Sequence, residues 1–247
     1  MKKVVLLLLL TLSLHAGKIS IAVAANVSYA IDTLKEIFAK THPDTTVRVT
    51  LGSSGKLAAQ IRHGAPYDLF MSANMLYPVS LYQEGLAVTK PVVYARGALA
   101  MFTAHPSDLS RGIAIVKDAD IRKIAIANPA TAPYGSAAES ALKNAGLYAI
   151  AKPKLVYAES VSQTVTYALS AADIGFVAMS ALYSPKMARF EKNRHWSAVD
   201  PKLYQPIEQG AVLLKHGQNN PQCREFYDFL LSDKAKVVLK QYGYLVE

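Results

Sequence analysis

Cysteine is nearly absent from this chain. Cys223 is the only one in 247 residues, so no disulfide can form within the chain and an apolar core must hold the fold. Charge is sparse at 18% of residues against 51% hydrophobic, which excludes a disordered chain. The net charge is +9, yet the lysines and arginines are scattered. No basic run with interleaved aromatics occurs, so the charge reads as a general attraction for anions and acidic surfaces and excludes a nucleic-acid footprint. The six histidines lack metal-ligand spacing. GSSGK (Gly52–Lys56) lacks the spacing of a phosphate-binding P-loop, and no G-x-S-x-G nucleophile elbow is present. After the first residues there is no long uncharged apolar run, so nothing reads as a membrane span.

The first residues read as a leader. In MKKVVLLLLLTLSLHA, two lysines precede an uncharged run from Val4 to Leu14, and Ala16 supplies a small residue for cleavage. Residues 1–16 are therefore expected to be removed on export to the periplasm. No cysteine near the cut offers a lipid anchor.

Strand and helix signals then alternate. KISIAVAA (Lys18–Ala25) and TVRVTL are short β-branched runs, and YDLFMSA is a third. Between them Ala30, Ile31, Leu34, Ile37 and Phe38 recur at helical spacing, as do Leu57 and Ile61 before Gly64. This βαβαβα pattern implies a parallel sheet covered by helices. The alternation breaks at the extended run PVVYARGALAMFTA (Pro91–Ala104) and resumes at KIAIAN (Lys123–Asn128). Ser136 and Glu139 read as a capping box, and Gly146 as that helix's end. IEQGAVLLK is extended again, and two short helices close the chain. The expected architecture is α/β, with two parallel-rich lobes crossed twice by the backbone. Lobe one would hold residues 17–95 and 207–247, and lobe two residues 96–206.

In open parallel sheets, ligands sit beyond the carboxyl ends of the strands. The loops there are Ala25–Ser28, Gly52–Gly55, Pro129–Gly135 and Glu159–Val161. Several place short hydroxyl or amide side chains at a helix start, where free backbone N–H groups carry partial positive charge. Such loops suit an oxyanion bound by neutral donors. Taken singly, Ser28, Ser54, Ser136 and Ser160 are better read as ordinary N-caps. The functional reading rests on their meeting in one cleft. Lys56 reads as a solvated first-turn residue, and Glu159 is the one carboxylate near these loops. A secreted serine acyl enzyme is the competing class, since Ser53-Ser54-Gly55-Lys56 matches S-x-x-K. No Lys-Thr-Gly accompanies it, and the βα pattern is foreign to that fold. A triad of Ser54, His63 and Asp68 would crowd into one short stretch.

The pattern Gly52-Ser53-Ser54, Leu57, Gln60-Ile61, Gly64-Ala65-Pro66, Asp68, Phe70 and Ser72-Ala73 resembles the periplasmic molybdate-binding proteins of ABC importers, the ModA family. The likeness continues through Asn128-Pro129, Gly135, Glu159-Ser160-Val161, Gly175-Phe176-Val177 and Tyr242-Gly243-Tyr244, and covers essentially the whole chain after the leader. It implies the two-lobed (type II) periplasmic binding fold and a monomer that carries molybdate, and tungstate with it, to a membrane permease. It implies no catalysis, cofactor or metal cation. Carried over by position, Asn26 and Ser28 would contact the anion from the first loop, and Ser54 with the Ser53 backbone from the second. Tyr134 and Val161 would supply backbone N–H groups. Two positions depart from the family pattern. Asn26 stands where many relatives have Ser, and Ala178 where many have a tyrosine hydroxyl.

Overall fold

The computed structural model describes residues 17–246. The leader expected at 1–16 lies outside them. The chain opens with β1 (Gly17–Ala24), α1 (Ile31–Ala39), β2 (Thr45–Gly52), α2 (Ser54–Arg62), β3 (Leu69–Ser72), α3 (Leu76–Gln83) and β4 (Val92–Gly97). It crosses at Ala98 into β5 (Leu99–Phe102), β6 (Ile124–Ala127), α4 (Pro133–Asn144), α5 (Tyr148–Ala151), β7 (Leu155–Ala158), α6 (Val161–Ser170), β8 (Ile174–Ala178), α7 (Met179–Leu182) and β9 (Trp196–Ala198). It returns through β10 (Ile207–Leu213), α8 (Pro221–Leu230) and α9 (Asp233–Gln241).

Two five-stranded sheets result, in the orders β2-β1-β3-β10-β4 and β7-β6-β8-β5-β9. In each, the three strands of the βαβ series pair in parallel and the other contacts are antiparallel. The sheets are therefore mixed, whereas the βα pattern alone suggests parallel-rich ones. The reason lies in the extended runs. β10 returns beside β3 in the first sheet, and β5 takes the equivalent place beside β8 in the second. PVVYARGALAMFTA is thus two strands in two sheets, divided at Ala98.

Central strands are largely apolar because helices cover both faces. β3, β5, β6 and β8 are buried at every residue. One face of the first sheet packs α1, α8 and α9, with Phe38 and Phe226 edge-to-face at 5.0 Å. The other takes α2 and α3 through Leu57, Ile61 and Leu81. Cys223 is buried under α8, on the first of these faces, without a disulfide partner, and burial pushes its thiol up to about 12, helped by the Asp68 charge. Among the described residues no helix is long and apolar enough to cross a membrane.

The helix starts test the capping reading residue by residue. Ser160 caps α6, accepting from Gln163 N–H at 3.3 Å, and Ser232 caps α9. Ser28, Ser54 and Ser136 cap nothing. Residues 25–29 form a 3₁₀ turn that leads into α1 with no side-chain cap. α4 begins at Pro133, because proline suits the first helical position. Ser136 therefore falls inside the first turn, and Glu139 pairs with Lys143 instead of closing a capping box.

Candidate functional site

The helices α2, α4 and α6 each follow a parallel strand, so their N-termini converge between the lobes. The cleft there is small. Lobe one lines it with Ala24, Ala25, Asn26, Gly52, Ser53, Ser54 and Ala73, and lobe two with Ala132, Pro133, Tyr134 and Val161. Five of the six residues expected to bind an anion are thus brought together. Ser28 is not among the lining residues and is half-buried on the turn before α1.

Among the described residues no charged side chain lines the cleft. What it offers is hydrogen-bond donors. Ser54 Oγ accepts from Ala73 N–H at 2.9 Å, so its own proton is free to point elsewhere. Ser53 Oγ is buried with no partner at all. The backbone N–H groups of Tyr134 and Val161 lie in the first turns of α4 and α6, where helix geometry leaves them without an intrahelical acceptor. A buried unpaired hydroxyl costs about 1–3 kcal/mol. Ser53 Oγ is thus a buried hydroxyl on the cleft lining that awaits a partner.

The chain belongs to the ModA family of bacterial extracellular solute-binding proteins. The family described as bacterial extracellular solute-binding protein matches residues 19–245. The molybdate-binding protein ModA of Rhodobacter capsulatus is 36% identical over 96% of this chain and 92% of its own. ModA of Azotobacter vinelandii is likewise 36% identical, over 96% and 93%. The solved periplasmic molybdate-binding protein of A. vinelandii superposes with a TM-score of 0.86 at 31% identity, over 93% of this chain and 99% of that one.

Within this ModA-family cleft, two side chains turn toward the hinge rather than into the cavity. Asn26 is wholly buried, and both its amide hydrogens are spent, on Gln209 Oε1 and Tyr244 Oη at 2.8 Å each. Its backbone carbonyl oxygen accepts from Tyr244 Oη at 3.0 Å and from Ser180 Oγ at 2.9 Å. The side-chain amide expected to donate to a ligand therefore ties β10 to the chain's end, and the Asn26 backbone carbonyl adds lobe two through Ser180. Tyr134 places its hydroxyl against Gly97, where a Cβ would come within 2.0 Å of it. Burial pushes that hydroxyl well above its usual range, nearby Tyr244, Tyr94 and Tyr204 add to the push, and Asn26 draws it back. Ala178 ends β8 in the core and does not line the cleft.

The groups that suggested serine chemistry do not assemble. Lys56 forms an ion pair with Glu159 across the mouth, both about half exposed. His63 Nδ1 lies 2.8 Å from the Ala59 carbonyl, whereas Asp68 is held by Ser20 N–H and His216, each at 2.7 Å. Among the described residues no group of three or more His, Cys, Asp or Glu stands close enough to hold a metal ion. Several parts of this arrangement gave no local signal. Gln209, Tyr244 and Ser180 meet Asn26 only through the fold, and Ala73 N–H orients Ser54 from a different strand end.

Proposed function

We propose that this chain captures a fully deprotonated tetrahedral dianion, molybdate and with it tungstate, between its lobes and passes it unchanged to an ABC importer permease. The observation that carries this reading is a neutral, donor-rich cleft, with Ser53 Oγ unpartnered and Ser54 Oγ left with a free proton by Ala73 N–H. The names and identities of the relatives support it independently.

The residues of the site act by replacing the anion's hydration shell. Ser54 Oγ and Ser53 give hydroxyl and backbone donors from lobe one, and Tyr134 and Val161 give backbone N–H groups from lobe two. The partial positive ends of α2, α4 and α6 face the same point. Hydrogen bonds to a charged acceptor contribute about 1.5–3 kcal/mol each. A handful of them, less the cost of ordering, gives micromolar binding or tighter. Sulfate has the same charge and shape but shorter bonds, so it fills the cavity less well. Phosphate near neutral pH carries a proton, and no carboxylate lines the cleft to accept it. Binding alone needs neither cofactor nor catalytic group.

The moving parts in this proposal are residues 17–95 with 207–247 and residues 96–206, in a monomer that works outside the cytoplasm after loss of its first 16 residues. Calorimetric titration with molybdate, tungstate, sulfate and phosphate tests the reading. Heat with the first two, each displacing the other, is the expected result. A protein that gives no heat and no rise in melting temperature with any of the four does not carry oxyanions.

A further inference from the structure

We propose that the first turn of α2 is also a closure latch, in which Gly55 and Lys56 hold the lobes together without touching the anion. This rests on the reading of the cleft as an oxyanion site, and adds residues that act through the closed state. Neither Gly55 nor Lys56 lines the cleft, and neither do their partners Thr131 and Glu159. Yet all four join the loops that do.

Three contacts cross the mouth at this point. Gly55 N–H donates to the Thr131 carbonyl at 2.8 Å. Lys56 pairs with Glu159, which immediately precedes Ser160 and Val161. Tyr77 Oη reaches the Ala130 carbonyl at 3.5 Å. The glycine has a specific role. A Cβ at position 55 would meet Thr131 Cα and its carbonyl oxygen at 3.0 Å, and Tyr77 Oη at 2.6 Å. Tyr77 belongs to the same lobe and its side-chain tip can swing aside. The Thr131 contacts are backbone of the opposite lobe, so the lobes must part to relieve them. Gly55 therefore lets the two main chains approach each other.

The latch sits one residue beyond the anion donors Ser53 and Ser54. The contacts already hold Gly55 and Lys56 to lobe two, and an anion that seats the start of α2 reinforces them, so capture strengthens closure. A permease that opens the protein must break the same contacts.

The test compares wild type with Gly55→Ala, Lys56→Ala, Glu159→Gln and the Lys56→Ala/Glu159→Gln double variant. Molybdate affinity is read by calorimetry. Lobe separation is read by electron–electron distance measurement between spin labels on Gln83→Cys and Lys152→Cys, both exposed, while buried Cys223 is shielded from labelling. Gly55→Ala should weaken molybdate about tenfold and lengthen the interlobe distance with and without anion. Its unliganded melting temperature should not fall, because alanine favours a helix over glycine. Lys56→Ala and Glu159→Gln should each cost about two- to fivefold, less at high salt, and the double variant no more than either. Wild-type distances and affinity in Gly55→Ala overturn the latch. A wild-type protein that binds no oxyanion defeats the proposed function instead. In that case the distances still decide the latch, and identical distributions in wild type and Gly55→Ala reject it.

Discussion

The two halves of the cleft present the same kind of donor in different chemical currency. Lobe one contributes hydroxyl side chains, Ser53 and Ser54, on the loop after β2. Lobe two contributes main chain only, because its lining side chains are Ala132, Pro133, Val161 and a Tyr134 whose hydroxyl lies against Gly97. A side-chain donor can be deleted by a point substitution. A backbone donor survives any substitution that preserves the local path. Lobe two should therefore tolerate side-chain change at the site and be sensitive to changes that shift or remove its backbone N–H groups.

That contrast is most easily broken at Gly135. A Cβ there would lie 2.1 Å from the Ala127 carbonyl oxygen, so Gly135→Ala must push the start of α4 off β6 and carry the Tyr134 N–H with it. We expect about 3 kcal/mol of lost stability in denaturant titration and no measurable molybdate heat.

Val161→Pro is the more surgical case. Position 161 opens α6, and Ser160 before it is extended at φ −144° and ψ 164°, a conformation that a following proline accepts. The variant deletes one N–H from a helix that can keep its path. Affinity should fall by about 2 kcal/mol, roughly thirtyfold, whereas Val161→Ala should bind nearly as wild type. Equal losses in the two variants would show that the Val161 side chain matters and not its amide.

In lobe one, Ser54→Ala should weaken binding about tenfold or more, since it removes a donor and also strands Ala73 N–H. Unchanged affinity would remove Ser54 from the site. Ser53→Ala sharpens the point, because the hydroxyl has no hydrogen-bond partner among the described residues. Its loss should leave thermal stability unchanged or raised while affinity still falls several-fold, if Ser53 Oγ adds to its backbone contact.

The smallest effect on binding is expected at Asn26. Asn26→Ala breaks the bonds to Gln209 and Tyr244 and should cost about 1–2 kcal/mol of stability. Affinity should change less than for either serine, because the amide is already committed to the hinge. A drop in affinity larger than that of Ser54→Ala would return the Asn26 side chain to the ligand.

The fold was largely legible in the sequence because periodicity is local. Leu57 and Ile61 mark a helix, and β-branched runs mark strands, whatever lies elsewhere. The mixed pairing was not legible, since β10 finds β3 and β4 from more than a hundred residues away. The candidate site was legible as a set of loops. Their division of labour was not. Ser160 is the N-cap of α6 and caps it, whereas Ser54 falls one residue inside α2, past Ser53, and accepts from Ala73 N–H. Lys56 read as a solvated residue, and it is exposed, but its partner Glu159 lies on the other lobe.

From sequence alone followed what one stretch of chain settles with its neighbours: strand, helix and the glycine-serine loops whose N–H groups and hydroxyls suit an anion. Tertiary structure alone decided which of those polar groups remain free. A hydrogen bond is an exchange of partners, and the partner that claims the Asn26 amide, Tyr244, stands 218 residues further along. Only folding brings such claimants together, so only the fold determines which donors are left facing the cleft.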